Sequence, residues 1–339
     1  MKQRKSRLQN ERAAERKPAP SSERLLAQST QLSALDKEII THLQNDGRKP
    51  FVTIAREMGI PEKTVRSCAH RLITQNAIRI IPLTSPAALG YHSIALVAMM
   101  TDPSVALSGI AEELGEIAEV DYVVVTTGRY NIFVEVMTKD NAALCIVVEE
   151  KIGRIKGINS VEILPCLSIH YQKARFFPSQ GAEDGVGVRE RELDQIDRDI
   201  VYELSDNARV PLRQVAERLN ISETQVRTRI GNMLDAGQLN ILAIMNPMNL
   251  EGYIIAWVAI SANTRASILD LAERLAATSC VSYIAITLGQ FDIVAEIVCP
   301  SREKFIDLIH GTIRFLPGVE RVESFLYLNL IYKNLNPLR

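Results

Sequence analysis

Apolar residues recur at helical spacing in two stretches of this chain that read alike. Over residues 211–234, Leu212, Val215, Ala216 and Leu219 fall three and four positions apart, one face of a helix. Asn220-Ile221 interrupts the run, and Ser222 is placed to cap a second helix by accepting a backbone N–H. That second helix buries Val226, Ile230 and Met233 or Leu234, and turns Thr224, Gln225, Thr228 and Asn232 outward. Residues 50–73 follow the same plan. Ahead of each pair lies one more amphipathic helix. Over 33–45 Ser33 is the N-cap and Leu35, Ile39, Ile40 and Leu43 face inward; over 193–204 the inward set is Ile196, Ile200, Val201 and Leu204. A short helix, a tight turn and a polar-faced helix make a helix-turn-helix, whose second helix enters the DNA major groove. An ordinary αα-hairpin in a helical core would show the same pattern.

Beyond these helices the period changes. Residues 78–81 and 239–242 are short apolar strands, a wing or a hinge. Then come a β-like run (93–100), a helix (107–117), two strands (120–127 and 130–137), a helix (141–155) and a last strand (161–171). The second copy runs 253–260, 267–275, 281–288, 291–298, 302–315 and 322–332. Strand, helix, two hairpinned strands, helix, strand is the ferredoxin-like βαββαβ order. Such a sheet covers one face with helices and leaves the other seeking a partner. Val123, Val125, Phe133 and Val134 are read as apolar residues of that outer face, so sheet-to-sheet pairing is expected.

One period joins the two halves. Asp36 and Asp197, Pro50 and Pro211, Ile60 and Ile221, Gly128 and Gly289, and Tyr171 and Tyr332 are each 161 residues apart. The chain is a tandem duplication. The fold class is α+β, two repeats, each a winged helix-turn-helix followed by a ferredoxin-like domain. The division is a basic disordered arm (1–32), helix-turn-helix domain 1 (33–82), sheet domain 1 (83–177), a Gly- and Ser-containing linker (178–192), helix-turn-helix domain 2 (193–245) and sheet domain 2 (246–335).

Composition changes this picture little. Hydrophobic residues make up 47% and charged residues 23% of 339, an ordinary globular balance, and the net charge of −1 points to no partner. Charge is local instead: residues 1–24 carry eight basic against three acidic side chains, suited to DNA phosphates or to a solvated tail. Cys68, Cys145, Cys166, Cys280 and Cys299 have no metal-type spacing and read as reduced thiols of a cytoplasmic protein. No apolar run approaches a membrane span. No catalytic triad, P-loop, Rossmann fingerprint or metal cluster is evident, so neither a catalytic residue nor a cofactor is expected. His42, His92 and His310 lack partner patterns, and Trp257 reads as packing.

The helix segment from Ser222 to Ile230, the hairpin Gly289-Gln290-Phe291-Asp292 and the Asn246-Pro247-Met248-Asn249-Leu250 run before Gly252 together resemble the leucine-responsive and asparagine-operon regulators, the Lrp/AsnC family. The likeness covers about 33–175 and 193–335. It implies a transcriptional regulator whose helix-turn-helix reads double-stranded DNA, and whose sheet domain pairs and binds a small effector, typically an amino acid. The family has one such unit per chain, so the fusion implies an intrachain pseudo-dimer, with homo-oligomers beyond it.

The DNA-facing set is then Lys63, Thr64, Arg66, Ser67, His70 and Arg71 in the first half, and Thr224, Gln225, Arg227, Thr228 and Arg229 in the second. Thr, Ser and Gln reach base edges, while arginines serve bases or phosphates. Cys68 stands where the second half has Arg229, which predicts unlike half-sites and an asymmetric operator. The effector set is the two hairpins: Thr127, Gly128, Arg129, Tyr130 and Asn131, with Leu288, Gly289, Gln290, Phe291 and Asp292. Glycine permits close approach, and Asp292 suits an α-ammonium group; the alternative is a tight turn that Asp292 caps. Two other classes compete. Siroheme decarboxylases have this architecture, but the His-Asn-Tyr-type segment and the Trp they carry are missing here, where only Tyr130 and Asn131 fit. An interaction module with decayed DNA-binding units is the other.

Overall fold

The computed structural model describes residues 32–75, 77–172, 193–205 and 207–332. The basic arm expected over 1–32, except residue 32, and the linker expected over 178–192 lie outside the described residues. Each half opens with three helices: α1 (Ala34–Asn45), α2 (Phe51–Met58) and α3 (Glu62–Thr74), then α6 (Gln195–Leu204), α7 (Leu212–Leu219) and α8 (Glu223–Asp235). Their buried residues include most of those the helical spacing marks: Ile39, Ile40, Leu43, Ile54, Val65 and Leu72, and in the copy Ile200, Val201, Leu204, Val215, Val226 and Ile230; Leu35 is half-buried, and Ile196, expected inward, is exposed in the first turn of its helix. Met233 completes the α8 stripe, and Leu234 is exposed. Ser33 and Ser222 each make a capping box, satisfying N–H groups that a helix start leaves orphaned. The corner between second and third helix needs a left-handed residue. Gly59 (φ 67°) supplies it in the first half and Asn220 (φ 54°) in the second.

The strands expected as a wing or hinge do neither job alone. β1 (Ile78–Leu83) and β6 (Asn240–Met245) pair antiparallel with each other, from Ile78 against Met245 to Leu83 against Asn240. The two helix-turn-helix units are thereby sewn together.

The remaining strands are β2 (Ser93–Thr101), β3 (Val120–Thr126), β4 (Ile132–Thr138) and β5 (Ile158–Gln172), then β7 (Ile254–Ala262), β8 (Val281–Thr287), β9 (Ile293–Cys299) and β10 (Val319–Tyr332). They close into one eight-stranded barrel, because the long last strand of each half crosses to the other: β5 pairs with β8 and β10 with β3. Closure removes the open edges that two separate sheets would expose. Helices α4 (Leu107–Glu116) and α9 (Ile268–Ala276) cover the outside, with α5 (Asn141–Ile146) and α10 (Arg302–Ile306). The long helices expected over 141–155 and 302–315 are not regular: α5 and α10 each run into a π turn and then a 3-10 turn, at Val147–Lys151 and Ile152–Arg154 and again at Asp307–Thr312 and Ile313–Phe315.

The sheet faces also need one correction. Val123, Val125 and Val134 pack beneath the helices of their own half, and only Phe133 of the four faces the barrel interior. Strand alternation puts neighbours on opposite faces, so Tyr122 and Val124 join Phe133 inside. That interior is aromatic and acidic. The Trp257 ring lies 5.6 to 6.2 Å from the rings of Tyr122, Tyr283 and Tyr327. The Tyr283 hydroxyl donates across the halves to Glu135 (2.7 Å), and the Tyr327 hydroxyl donates to Glu296 (2.8 Å). Burial, with Asp121 next in weight, pushes the Glu135 carboxyl well above the ordinary carboxylate range, to about 8.

Candidate nucleic-acid interface and effector hairpins

Helices α3 and α8 bury one stripe and present the other. Lys63, Arg66, Ser67 and His70 are exposed and Thr64 is half-buried; Thr224, Gln225, Arg227 and Thr228 are exposed. Arg66 bonds to Glu62 (2.5 Å) and Arg227 to Glu223 (2.7 Å), each one turn back on its own helix. The Gln225 side-chain oxygen accepts from the Ser222 N–H (3.0 Å), closing the capping box and leaving its amide N–H₂ outward.

Arg71 and Arg229 are engaged differently. Arg71 Nη2 sits 2.5 Å from Asp36 Oδ1, and Asp36 is 2% exposed. Arg229 Nη1 donates to Asp194 (2.6 Å) and Asp197 (2.9 Å). Asp36 and Asp197 are equivalent positions, but the arginines are not: Cys68 stands opposite Arg229, and Asn232 opposite Arg71. Three residues along a helix is close to one turn, so both guanidiniums emerge on the same face and reach the same acid. Burial tends to raise Asp36, yet its bonds to Arg71 and Ser33 hold it below the usual carboxylate value. Each recognition helix is thus braced to the start of the first helix in its own unit.

A second set of arginines joins the units to each other. Arg48 donates to the carbonyls of Ala208 (2.5 Å) and Val210 (3.1 Å). Its equivalent, Arg209, donates to those of Gly47 (2.7 Å) and Lys49 (3.2 Å), which are themselves the equivalents of Ala208 and Val210. The Gly47 N–H donates to Ile241 and the Ala208 N–H to Ile80, again reciprocally. Contact is tight: a Cβ on Gly47 would lie 2.9 Å from the Leu242 backbone. Arg209 also covers the Phe51 ring at 4.1 Å, and Arg66 of α3 covers the same ring at 5.4 Å.

The two candidate effector hairpins meet at one end of the barrel. Arg129 Nη2 donates to Gln290 Oε1 (2.6 Å), a bond between equivalent positions that marks the pseudo-twofold axis. Arg129 also pairs with Glu323 (2.9 Å), and Gln290 Nε2 donates to Glu162 (2.5 Å) and to the Tyr130 hydroxyl. Gly128 (φ 102°) and Gly289 (φ 125°) adopt a backbone that other residues resist, and a Cβ there would lie 3.2 Å from Phe325 and Leu164 respectively. Thr127 and Leu288 flank these turns; Tyr130 and Phe291 are buried under them. Asp292 Oδ2 accepts the Ala262 N–H (2.7 Å), and Asn131 Oδ1 accepts the equivalent Thr101 N–H (3.1 Å). One acceptor oxygen at that position is common to both halves, and the negative charge belongs to the second alone.

Sequence reasoning did not single out Arg48, Arg209, Glu162, Arg321 or Glu323. The signal was available for Arg48 and Arg209, a basic residue preserved at the 161-residue period within two loops of unlike sequence. Glu162 takes Gln290 and Glu323 takes Arg129 from the opposite half, beside Tyr130 and Arg321 of their own, and no local pattern announces the crossing.

Known sequences place these parts. An AsnC-type helix-turn-helix profile matches residues 32–73, and a winged helix-turn-helix DNA-binding profile matches 193–239. An Lrp/AsnC ligand-binding domain profile matches 94–176, and a C-terminal dimeric α+β barrel profile matches 253–336. An uncharacterized HTH-type transcriptional regulator of Pyrococcus furiosus is 37% identical over 132 residues, 39% of this chain and 88% of that protein. The regulator LrpA of Pyrococcus horikoshii is 31% identical over 127 residues, 37% and 89% respectively. Among solved structures, the siroheme decarboxylase NirDL shares the fold across 89% of this chain and 93% of its own, with a TM-score of 0.57 at 17% identity. Two helix-turn-helix units, two paired sheet domains and these relatives lead to one conclusion: the chain belongs to the Lrp/AsnC family, as a tandem pair of its units.

Proposed function

We propose that this chain is a sequence-specific DNA-binding transcriptional regulator that presents α3 and α8 to duplex DNA. The observation carrying this reading is that both helices expose their polar faces while their opposite faces are braced and buried. Thr64, Ser67 and His70, with Thr224, Gln225 and Thr228, face base edges; Lys63, Arg66 and Arg227 serve phosphates or guanines. Arg71 and Arg229 are assigned to positioning. The operator has two unlike halves, because the faces differ: Lys63 and His70 on α3 stand opposite Thr224 and Gly231 on α8.

The hairpin end of the barrel takes a small effector, an amino acid whose ammonium group lies by Asp292 and whose carboxylate lies by Arg129 or Arg321. Relatives named as transcriptional regulators support the class. The chain works as an intrachain pseudo-dimer and joins further copies of itself in the cytoplasm.

The test is selection of the full-length chain on a random duplex library, followed by footprinting of the enriched site with and without each amino acid. The expected result is one protected site with dissimilar halves, shifted in affinity by one class of amino acid. Enrichment of no sequence would overturn the regulator reading. A tetrapyrrole absorption band in the purified chain would instead move it to the decarboxylase class.

A further inference from the structure

Two arginines that no sequence pattern marked for DNA stand in line with two that face it. Arg66 of α3 and Arg209 share the Phe51 ring; Arg209 and Arg48 bond reciprocally into each other's loops; and the charge of Arg227 on α8 acts on Arg48. The order Arg66, Arg209, Arg48, Arg227 therefore runs from one recognition helix to the other across the seam between the units. Its outer members lie on the outward faces of α3 and α8, so the row lies on the side that faces the duplex.

The inner pair is short of negative charge. Arg48 and Arg209 bond to backbone carbonyls, which satisfy hydrogen bonds and neutralise nothing. A guanidinium has five N–H donors, so each keeps some unspent. Among the described residues neither makes an ion pair, and Asp46 is the acid acting on both. The acids on the outer pair, Glu62 and Glu223, are exposed surface partners of low net worth, readily exchanged for a phosphate. Half-burial first, then a neighbouring arginine, lowers the pKa of both Arg48 and Arg209. Like charges are being held together on backbone carbonyls, with no acid ion-paired to either among the described residues.

We propose that Arg48 and Arg209, with Arg66 and Arg227 at their flanks, form a seat for the phosphodiester backbone at the centre of the operator, between the two stretches read by α3 and α8. The seat recognises phosphate and not sequence. It also explains a trade made in this fold: strands β1 and β6, which could have served as separate wings, are consumed in joining the units, and the joint itself supplies the backbone contact. Because the clamp that holds the units at fixed separation is built from the residues that grip the phosphates, DNA spacing and protein geometry are set by the same side chains.

This inference rests on the regulator reading, and the experiment separates the two. Full-length chain and the double variant R48Q/R209Q are titrated by fluorescence anisotropy against the selected duplex and a scrambled one, between about 50 and about 200 mM salt. Glutamine keeps amide donors for the carbonyls and removes the charge; R48K/R209K keeps the charge and loses the planar fork. Loss of two phosphate contacts should lower the salt slope by about 1.8 on both duplexes, with the preference for the selected site retained, and the lysine pair should restore the slope. Ethylation interference on the selected site should show central phosphates in the wild type that the glutamine variant ignores. If slope and central interference are unchanged in R48Q/R209Q while the selected site is still bound, the seat is wrong and the regulator stands. If the wild type binds neither duplex, both fall.

Discussion

The two reading units solve one mechanical problem with different residues. Both must fix the third helix against the first. The first unit does so with Arg71 on a buried Asp36, the second with Arg229 shared between an exposed Asp194 and a partly buried Asp197. Side by side, the sequences suggest that the first unit has lost an arginine at Cys68. In three dimensions the arginine has moved one turn and kept its partner. What is preserved between duplicated halves is an interaction, and the residue numbers that make it are free to drift along a helix face. The seam shows the opposite case: Arg48 and Arg209 reach into each other's loops, and both stay in register.

The largest expected difference between the units comes from removing these braces. Arg71→Ala leaves Asp36 buried and without its cation, which should cost about 3 kcal/mol, whereas Arg229→Ala leaves an exposed Asp194 and a partly buried Asp197 and should cost less, about 1 kcal/mol. The midpoints of urea unfolding give the comparison. The double change Cys68→Arg with Arg71→Asn transplants the second arrangement into the first unit, and should recover most of the loss. Failure to recover would mean that the relocation reading is wrong. Next in size is Gly47→Ala, which drives a methyl against the Leu242 backbone and should cost about 1–3 kcal/mol. Ala208→Gly at the equivalent position removes one methyl and a little backbone stiffness, and should cost about 1 kcal/mol or less.

A smaller contrast separates the two buried glutamates. Burial in the folded barrel raises Glu135 from the ordinary value of 4.5 to about 8. Its contribution to stability is therefore complete below the lower value and drains away as pH climbs to the upper one. Thermal midpoints should fall across that window. Glu135→Gln keeps a hydrogen-bonding partner for Tyr283 and should flatten the fall. Glu296 is also raised by burial, so Glu296→Gln should flatten it as well, over its own part of the range. The smallest effect on folding belongs to the hairpins. Asn131→Asp and Asp292→Asn exchange side chains that accept the same backbone bond, and each should change stability by under about 1 kcal/mol. Their effect on amino-acid binding by calorimetry should be opposite in sign: Asp292→Asn weakens it, and Asn131→Asp adds a second site. Equal binding in all three proteins would remove Asp292 from the effector site.

Much of the architecture was legible because it rests on local rules. Ser222 as a cap, the break at Asn220, and most inward residues of the reading-unit helices follow from hydrogen-bond satisfaction and a 3.6-residue period, Ile196 being the exposed exception. The strands were legible as strands but not as faces, since Val123, Val124 and Val125 are all apolar and alternation cannot be counted through an unbroken apolar run. Of the candidate DNA-facing residues, the structure shows which are exposed: Lys63, Arg66, Ser67, His70, Thr224, Gln225, Arg227 and Thr228. Arg71 and Arg229 were grouped with them because an arginine on a polar helix face looks the same whether it points to solvent or back to an acid 32 or 35 residues earlier.

By itself, the sequence determined the elements, their doubling at a period of 161 residues and the surface each helix would offer, since all three depend on residues near one another along the chain. Only the tertiary structure decided how the doubles meet: β1 on β6, β5 and β10 exchanged into one barrel, Tyr283 on Glu135, Arg48 and Arg209 crossed over the seam. Those contacts join residues far apart in sequence. Their energy comes from close packing and from charges or polar groups withdrawn from water together, and neither leaves a periodic trace in the residues that make them.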